Sequence, residues 1–254
     1  MIGCIIQARL DSSRLPGKIL MKVDEKNTIL DYVINQLRSS KYIDKIIVAT
    51  TTSENDNQLI EYANNNQLDS FRGSENDVLD RYYKCAKHFS LSTIIRVTSD
   101  CPLIDPTIID ELIENFQKDN FDYATNKLPL ESSKCPHGAE VEICSFNTLE
   151  KTWKEAKKPS EREHVTPYIY NNPDKFTIFS MINDKDLSYM RYTVDRQKDL
   201  EIVQEIIKRI TTRPILTKDI VKVFEKEPDL LRINSEYERN EGYHKSLRDE
   251  KSSN

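Results

Sequence analysis

Three cations stand close together near the start of this 254-residue chain: Arg9, Arg14 and Lys18, within IIQARLDSSRLPGK (residues 5–18). Hydroxyls from Ser12 and Ser13 and a Pro16–Gly17 turn lie among them. Guanidinium forks hold phosphate oxygens two at a time, and an ammonium adds a point charge. Three cations suit a triphosphate better than a monophosphate. A loop that leaves a strand and feeds a helix also offers backbone N–H groups to such a ligand. The glycine-rich phosphate loops are excluded: there is no G-x-G-x-x-G, and the Gly17–Lys18 pair is not a P-loop, which needs a glycine where Ser12 stands and a hydroxyl where Ile19 stands. The competing reading of the three cations is a solvated basic surface loop.

Carboxylates supply the complementary chemistry. Asp100 lies in TSDCPLID (98–105) and Asp195 in TVDRQKDL (193–200), each at the end of an expected strand, so one rim could carry both. Mg²⁺ takes one or two carboxylates together with phosphate and water oxygens. Their neighbours read more plainly: Asp105 before Pro106 is a helix N-cap, and Asp199 is a first-turn carboxylate favoured by the helix dipole. The DKD at 184–186 falls in an expected turn, where Asp is common for backbone reasons.

These residues need a scaffold, and the apolar pattern describes one. Strands are expected at 3–7, 45–51, 70–73, 93–100 and 122–126. They alternate with helices at 28–40, 55–66, 75–89 and 106–118. That alternation argues for an α/β fold, a three-layer, doubly wound, mostly parallel sheet, with ligands beyond the carboxyl ends of the strands. The rule brings the cationic loop, FRGSEND (71–77) and TSDCPLID to one rim. After about residue 127 the pattern changes. LPLESSKCPHG (128–138) reads as a long loop, and 139–145, 175–182 and 188–194 read as strands. Helices are expected at 146–158, 160–172, 200–210 and 216–226. One domain over 1–230 is expected, followed by a polar tail at 231–254 whose last eight or so residues read as disordered.

Composition narrows the class. A formal charge of −5 argues against bulk attraction to nucleic acid. No apolar run approaches the roughly 20 residues of a membrane span, and the apolar start lacks a basic n-region and cleavage site. Five cysteines with irregular spacing and no C-x-x-C fit reduced thiols of a cytoplasmic protein better than a disulfide framework or zinc site.

The opening IIQARLDSSRLPGKIL resembles that of the cytidylyltransferases that make CMP-activated sugar acids. The likeness is strongest to the SpsF-type branch of spore-coat and capsular polysaccharide biosynthesis. It continues through FRGSENDVLDRYY (71–83), RVTSDCPLID (96–105), SEREHVTPYI (160–169) and NEGYHKSL (240–247). The resemblance implies a nucleotide-diphospho-sugar transferase (GT-A-like) sheet, an acceptor and dimerisation extension at about 127–190, and a homodimer. It implies CTP held by Arg9, Ser13, Arg14 and Lys18, with Arg72 and Ser74 near the cytosine and Mg²⁺ on Asp100 and Asp195. Glu140 and Glu142, at period two on one strand face, would face the acceptor together with Arg162 and His164. Two departures stand out: Asp11 replaces a family glycine in the phosphate loop, and PHGAEVE (136–142) replaces a PDGLDVE-like segment, so His137 and Glu140 alter the acceptor pocket. The expected reaction is Mg²⁺-dependent transfer of CMP from CTP to a small acidic acceptor, a sugar acid or a phosphorylated metabolite such as phosphoglutamine. The alternatives are a metal-dependent glycosyltransferase, which would release no pyrophosphate, and a non-catalytic nucleotide-binding protein.

Overall fold

Strand β1 (Ile2–Gln7) shows how this chain builds its layers. Side chains alternate across a strand. Cys4 and Ile6 therefore enter one apolar cluster with Leu30, Val33, Leu59, Ile109 and Leu112, while Ile5 enters another with Leu79, Tyr82, Leu149 and Ile169. Val48 and Ile47 of β2 (Lys45–Thr51) divide in the same way. The structure, a computed structural model, describes residues 1–252. On the first face lie α1 (Ile29–Leu37), α2 (Asn57–Asn65) and α4 (Pro106–Lys118). On the second lie α3 (Val78–His88), α5 (Phe146–Glu155) and α7 (Pro167–Tyr170), with α6 (Pro159–His164) packed against α3. The helix starts follow local chemistry. Thr28 and Asp31 form a reciprocal capping box on α1, and Asp105 caps α4 with Pro106 in its first turn.

The sheet has seven strands. With β3 (Asp69–Gly73), β4 (Thr93–Thr98), β5 (Tyr123–Thr125), β6 (Glu142–Ser145) and β7 (Ile178–Ser180), its order is β3-β2-β1-β4-β6-β5-β7. The first four strands are mutually parallel, and β6 alone runs antiparallel, between β4 and β5. The mostly parallel α/β sheet expected from the sequence is thus the observed one. The order reverses between β1 and β4, where loops of opposite hand leave a crevice for ligands. A third apolar cluster joins α8 (Gln197–Arg209) and α9 (Thr217–Lys226) to Met190, Tyr192 and Val194.

Four expectations change. Residues 188–194 are not a strand of the sheet. They run beside the 134–138 loop through a single bridge, His137 to Arg191, and Val194 N donates to the Asp100 carbonyl. The strand expected from 139 begins at Glu142, because the Asn126 side chain takes up the Ala139 carbonyl and the Val141 N–H in place of a ladder. The helical stretch 160–172 breaks into α6 and α7 at Val165, whose φ of +73° ends α6 before Pro167. The end expected to be disordered is helical instead: α10 (Glu241–Ser252) packs on α6, and residues 253–254 lie outside the described residues. Residues 127–190 contribute β6 and β7 to the main sheet.

Candidate active site

The crevice between β1 and β4 is where the cationic loop meets Asp100. Loop 8–18 is tied down by the buried carboxylate of Asp56, which accepts from Leu10 N at 2.9 Å and from the Thr51 hydroxyl. Gly17, with φ of +67°, turns the chain so that Lys18 points inward. A Cβ at Gly17 would meet nothing within 4 Å, so glycine is required there by backbone geometry and not by space. The Lys18 ammonium donates to Asp100 Oδ2 at 2.9 Å, Asp195 Oδ1 at 2.8 Å and the Val194 carbonyl at 2.7 Å. Arg14 Nη2 donates to the same Asp195 oxygen at 2.6 Å. Asp195 is presented from the far side: Arg191 holds its other oxygen at 3.2 Å, and Asp199 accepts from both Arg191 and Asp195 N. Asp199, expected only as a first-turn carboxylate, is fully buried and anchors this arrangement.

Charge balance sets the protonation. Burial alone would push the Asp100 carboxyl up, but the Lys18 ammonium and its hydrogen bond hold it well below the ordinary carboxylate range. Burial likewise opposes the Lys18 charge, yet Asp100 and Asp195 raise it above the usual lysine value. Asp100 and Asp195 thus converge on the Lys18 ammonium.

A cleft of about 210 Å³ opens from this point. One end carries Arg14, Asp100 and Asp195. The other carries Arg96, Lys127, Glu140, Glu142, His164, Tyr170, Arg239 and Tyr243. Glu142 is buried and fully engaged, with Arg96 at 2.5 Å, Lys127 at 2.6 Å and the hydroxyls of Tyr123 and Thr166. Burial opposes its charge, but Lys127 and Arg96 bring its carboxyl down to about 2. Glu140 accepts from Gly138 N and Arg239. Three cations (Arg96, Lys127, Arg239) against two carboxylates (Glu140, Glu142) leave this end with one net positive charge. Both histidines are held neutral, chiefly by burial: His164 is lowered to about 4, and His137 accepts from Arg191 at 2.6 Å.

The sequence-derived residues divide. Arg14, Asp100, Asp195, Glu140, Glu142 and His164 line the cleft, and Lys18 sits between Asp100 and Asp195. Arg9 and Ser13 are exposed on the loop, and Arg9 makes no ion pair with any described residue. Arg72 does not point at the cleft. Its guanidinium braces the turn after β2 through the Thr51 and Ser53 carbonyls and Asn57, and Ser74 accepts from Asp77 N. The expectation for Arg162 is not met: it donates to Asp77 and to the Trp153 and Ala156 carbonyls, fixing α6 to α3. Asp11, at the loop surface, accepts from the Asn55 amide at 3.4 Å. Asp186 of the DKD only accepts from Ser188 N.

Several lining residues escaped the sequence. Arg96 carried a signal, a lone charge inside the apolar strand TIIRVT. Lys127, Tyr170, Arg239 and Tyr243 carried no spacing pattern at all. Arg81 of α3 is buried with two guanidinium nitrogens unpartnered among the described residues, beside Gly73 at the end of β3. Burial lowers its pKa, and Arg9 adds to the effect.

All five cysteines are free and buried, with thiols pushed up mainly by burial (Cys85 and Cys144 to about 12). Among the described residues no helix is long and apolar enough to cross a membrane.

Comparison with known proteins agrees with this geometry. A family model described as cytidylyltransferase matches residues 3–241. An uncharacterized protein of Methanocaldococcus jannaschii is 40% identical, over 91% of this chain and 93% of its own. The spore coat polysaccharide biosynthesis protein SpsF of Bacillus subtilis is 30% identical, over 89% of this chain and 94% of its own. The structure of a cytidylyltransferase from Leptospira borgpetersenii superposes with a TM-score of 0.86 at 33% identity, covering 93% of this chain and 99% of that one. With the cationic loop, the switch-point carboxylates and matches across nearly its whole length, this chain belongs to the cytidylyltransferase family, the CTP-dependent nucleotidyltransferases.

Proposed function

We propose that this enzyme transfers CMP from CTP to a small anionic acceptor in surface polysaccharide biosynthesis, with release of pyrophosphate. The observation that carries this is the convergence of Lys18, Arg14, Asp100 and Asp195 at the β1–β4 crevice. An acceptor oxygen attacks the α-phosphorus, a new P–O bond forms, and the bond to the β-phosphate oxygen breaks. Arg9, Arg14 and Lys18 neutralise the triphosphate and the charge growing on the leaving pyrophosphate. Asp100 and Asp195 fit a divalent metal, because both are hard-oxygen donors aimed at one point, where the Lys18 ammonium sits in this structure. When bound there, Mg²⁺ supplies charge neutralisation at the phosphate oxygens. Positioning and electrostatics carry the step. A phosphate acceptor is already ionised at its reacting oxygen, whereas a sugar acid attacks through a hydroxyl whose proton passes to solvent as the P–O bond forms.

The single net positive charge at the acceptor end favours a carboxylate monoanion over a phosphate dianion. A sugar acid, giving a CMP-sugar, is therefore the first choice, and a phosphorylated metabolite is the second. The family resemblance also supports action as a homodimer, which light scattering on the purified protein tests. The decisive assay is pyrophosphate release from CTP with Mg²⁺ against a panel of sugar acids and phosphorylated metabolites. ATP, GTP and UTP serve as controls, and Asp100→Ala as the blank. Release that needs CTP and one acceptor is expected. Transfer that needs a nucleotide-sugar and releases no pyrophosphate, or CTP binding without turnover on any acceptor, counts against the proposal.

A further inference from the structure

Glu241 bridges two guanidiniums. Its Oε2 accepts from Arg14 Nη1 at 3.3 Å and from Arg196 Nη2 at 3.0 Å, and its Oε1 accepts from Arg196 Nη2 at 2.7 Å. Arg14 belongs to the triphosphate loop, 227 residues earlier in the chain. A carboxylate on two arginines imitates a phosphate oxygen on the same two. The pair is also weak: the side chains are 34% and 37% exposed, so water and salt screen it.

The segment that carries Glu241 is built to leave. Helix α10 buries none of its residues. Polar contacts fasten it to α6, from Ser246 to Glu163 and His164 and from Glu250 to Ser160 N. Its apolar anchoring is slight, with Tyr243 edge-on to the His164 ring and Tyr243 and Leu247 only half-buried, so local release is cheap. Asn240 sits at the start of α10 with φ of +57°, and Asn240 and Tyr243 line the acceptor end of the cleft. One short segment therefore touches the triphosphate cations through Glu241 and the acceptor end through Tyr243.

We propose that Glu241 is a positioning residue for the transfer. It holds Arg14 and Arg196 in the nucleotide-free enzyme at the place of a phosphate oxygen, and CTP displaces it. Displacement loosens residues 241–252 from the acceptor end, so nucleotide binding opens the pocket for the acceptor. This rests on the CMP transfer proposed above. Linkage then requires the converse: acceptor binding favours CTP.

The test uses the full chain and Glu241→Gln, which keeps the size and removes the competing charge. The KM for CTP should fall about two- to fivefold, the range an exposed ion pair allows. The difference should shrink at high salt. Hydrogen exchange in 241–252 should quicken when CTP is added to wild type, and in the variant it should already be fast without nucleotide. An unchanged or raised KM for CTP in Glu241→Gln, or exchange in 241–252 that CTP leaves unchanged or slows, overturns the displacement while leaving CMP transfer intact. Failure of wild type to bind CTP overturns both.

Discussion

Replacing Lys18 by Met removes one charge and keeps most of the volume, and its consequences follow from the three bonds of that ammonium. Asp195 keeps Arg14 and Arg191, so only Asp100 is left without a cation. Stripping one partner from a fully buried pair costs about 3–5 kcal/mol. The Asp100 side chain is 24% exposed, which relieves part of that. A loss of about 2 kcal/mol is expected, or about 4–8 °C in Tm for a chain of this size. The pH dependence is more diagnostic. In wild type Lys18 holds Asp100 below the ordinary carboxylate value, so its stabilisation is present above about pH 4 and is lost on further acidification. In Lys18→Met only burial remains as the main influence, and the carboxyl moves above the ordinary value. Its folded form then gains protons before its unfolded form does, and the variant recovers stability as the pH falls toward 4. The stability gap between the two proteins should therefore narrow on acidification, as read by urea unfolding across pH. Turnover should fall about 10²–10³-fold, the usual loss of a donor aimed at developing charge. A variant that melts with wild type, or a gap that stays constant with pH, refutes the reasoning.

Glu142→Ala should cost about 3–5 kcal/mol by urea unfolding, because Arg96 and Lys127 then lie buried without their carboxylate. Wild type should also lose the Glu142 contribution as the pH falls from about 4.3 toward 2. The imidazole of His164, neutral and lowered to about 4 mainly by burial, should titrate by NMR far below the ordinary value of about 6.5. Its favourable neutral state then contributes stability at neutral pH that is lost between about 6.5 and 4, and a midpoint near 6.5 would contradict the burial. Gly17→Ala should cost about 1–2 kcal/mol through the left-handed backbone alone, since no atom stands near the new methyl. Its effect on turnover should exceed its effect on Tm, because the turn aims Lys18.

The cationic loop and the sheet that carries it were legible in the sequence because they are local. Arg14, Lys18 and the Pro16–Gly17 turn occupy one loop, and alternating apolar runs of strand and helix length leave little choice but a layered parallel sheet with ligands at its carboxyl rim. Asp100 could be read from the polar end of the fourth strand for the same reason. The far end of the cleft depends on contacts between distant segments, which no periodicity encodes. Arg162 and His164 are neighbours on one short helix, yet only His164 reaches the cleft, since the Arg162 side chain closes on Asp77, the N-cap of α3. Arg239 reaches Glu140 across 99 residues, and Glu241 reaches Arg14 across 227. Residues 241–252, polar enough for their end to read as disordered, form a helix that finds hydrogen-bond partners on α6 and charge on Arg14 and Arg196. Composition and pattern determined the sheet and the triphosphate loop. The cleft proposed for the acceptor was decided by chain packing, where buried charges must find partners wherever the fold brings them.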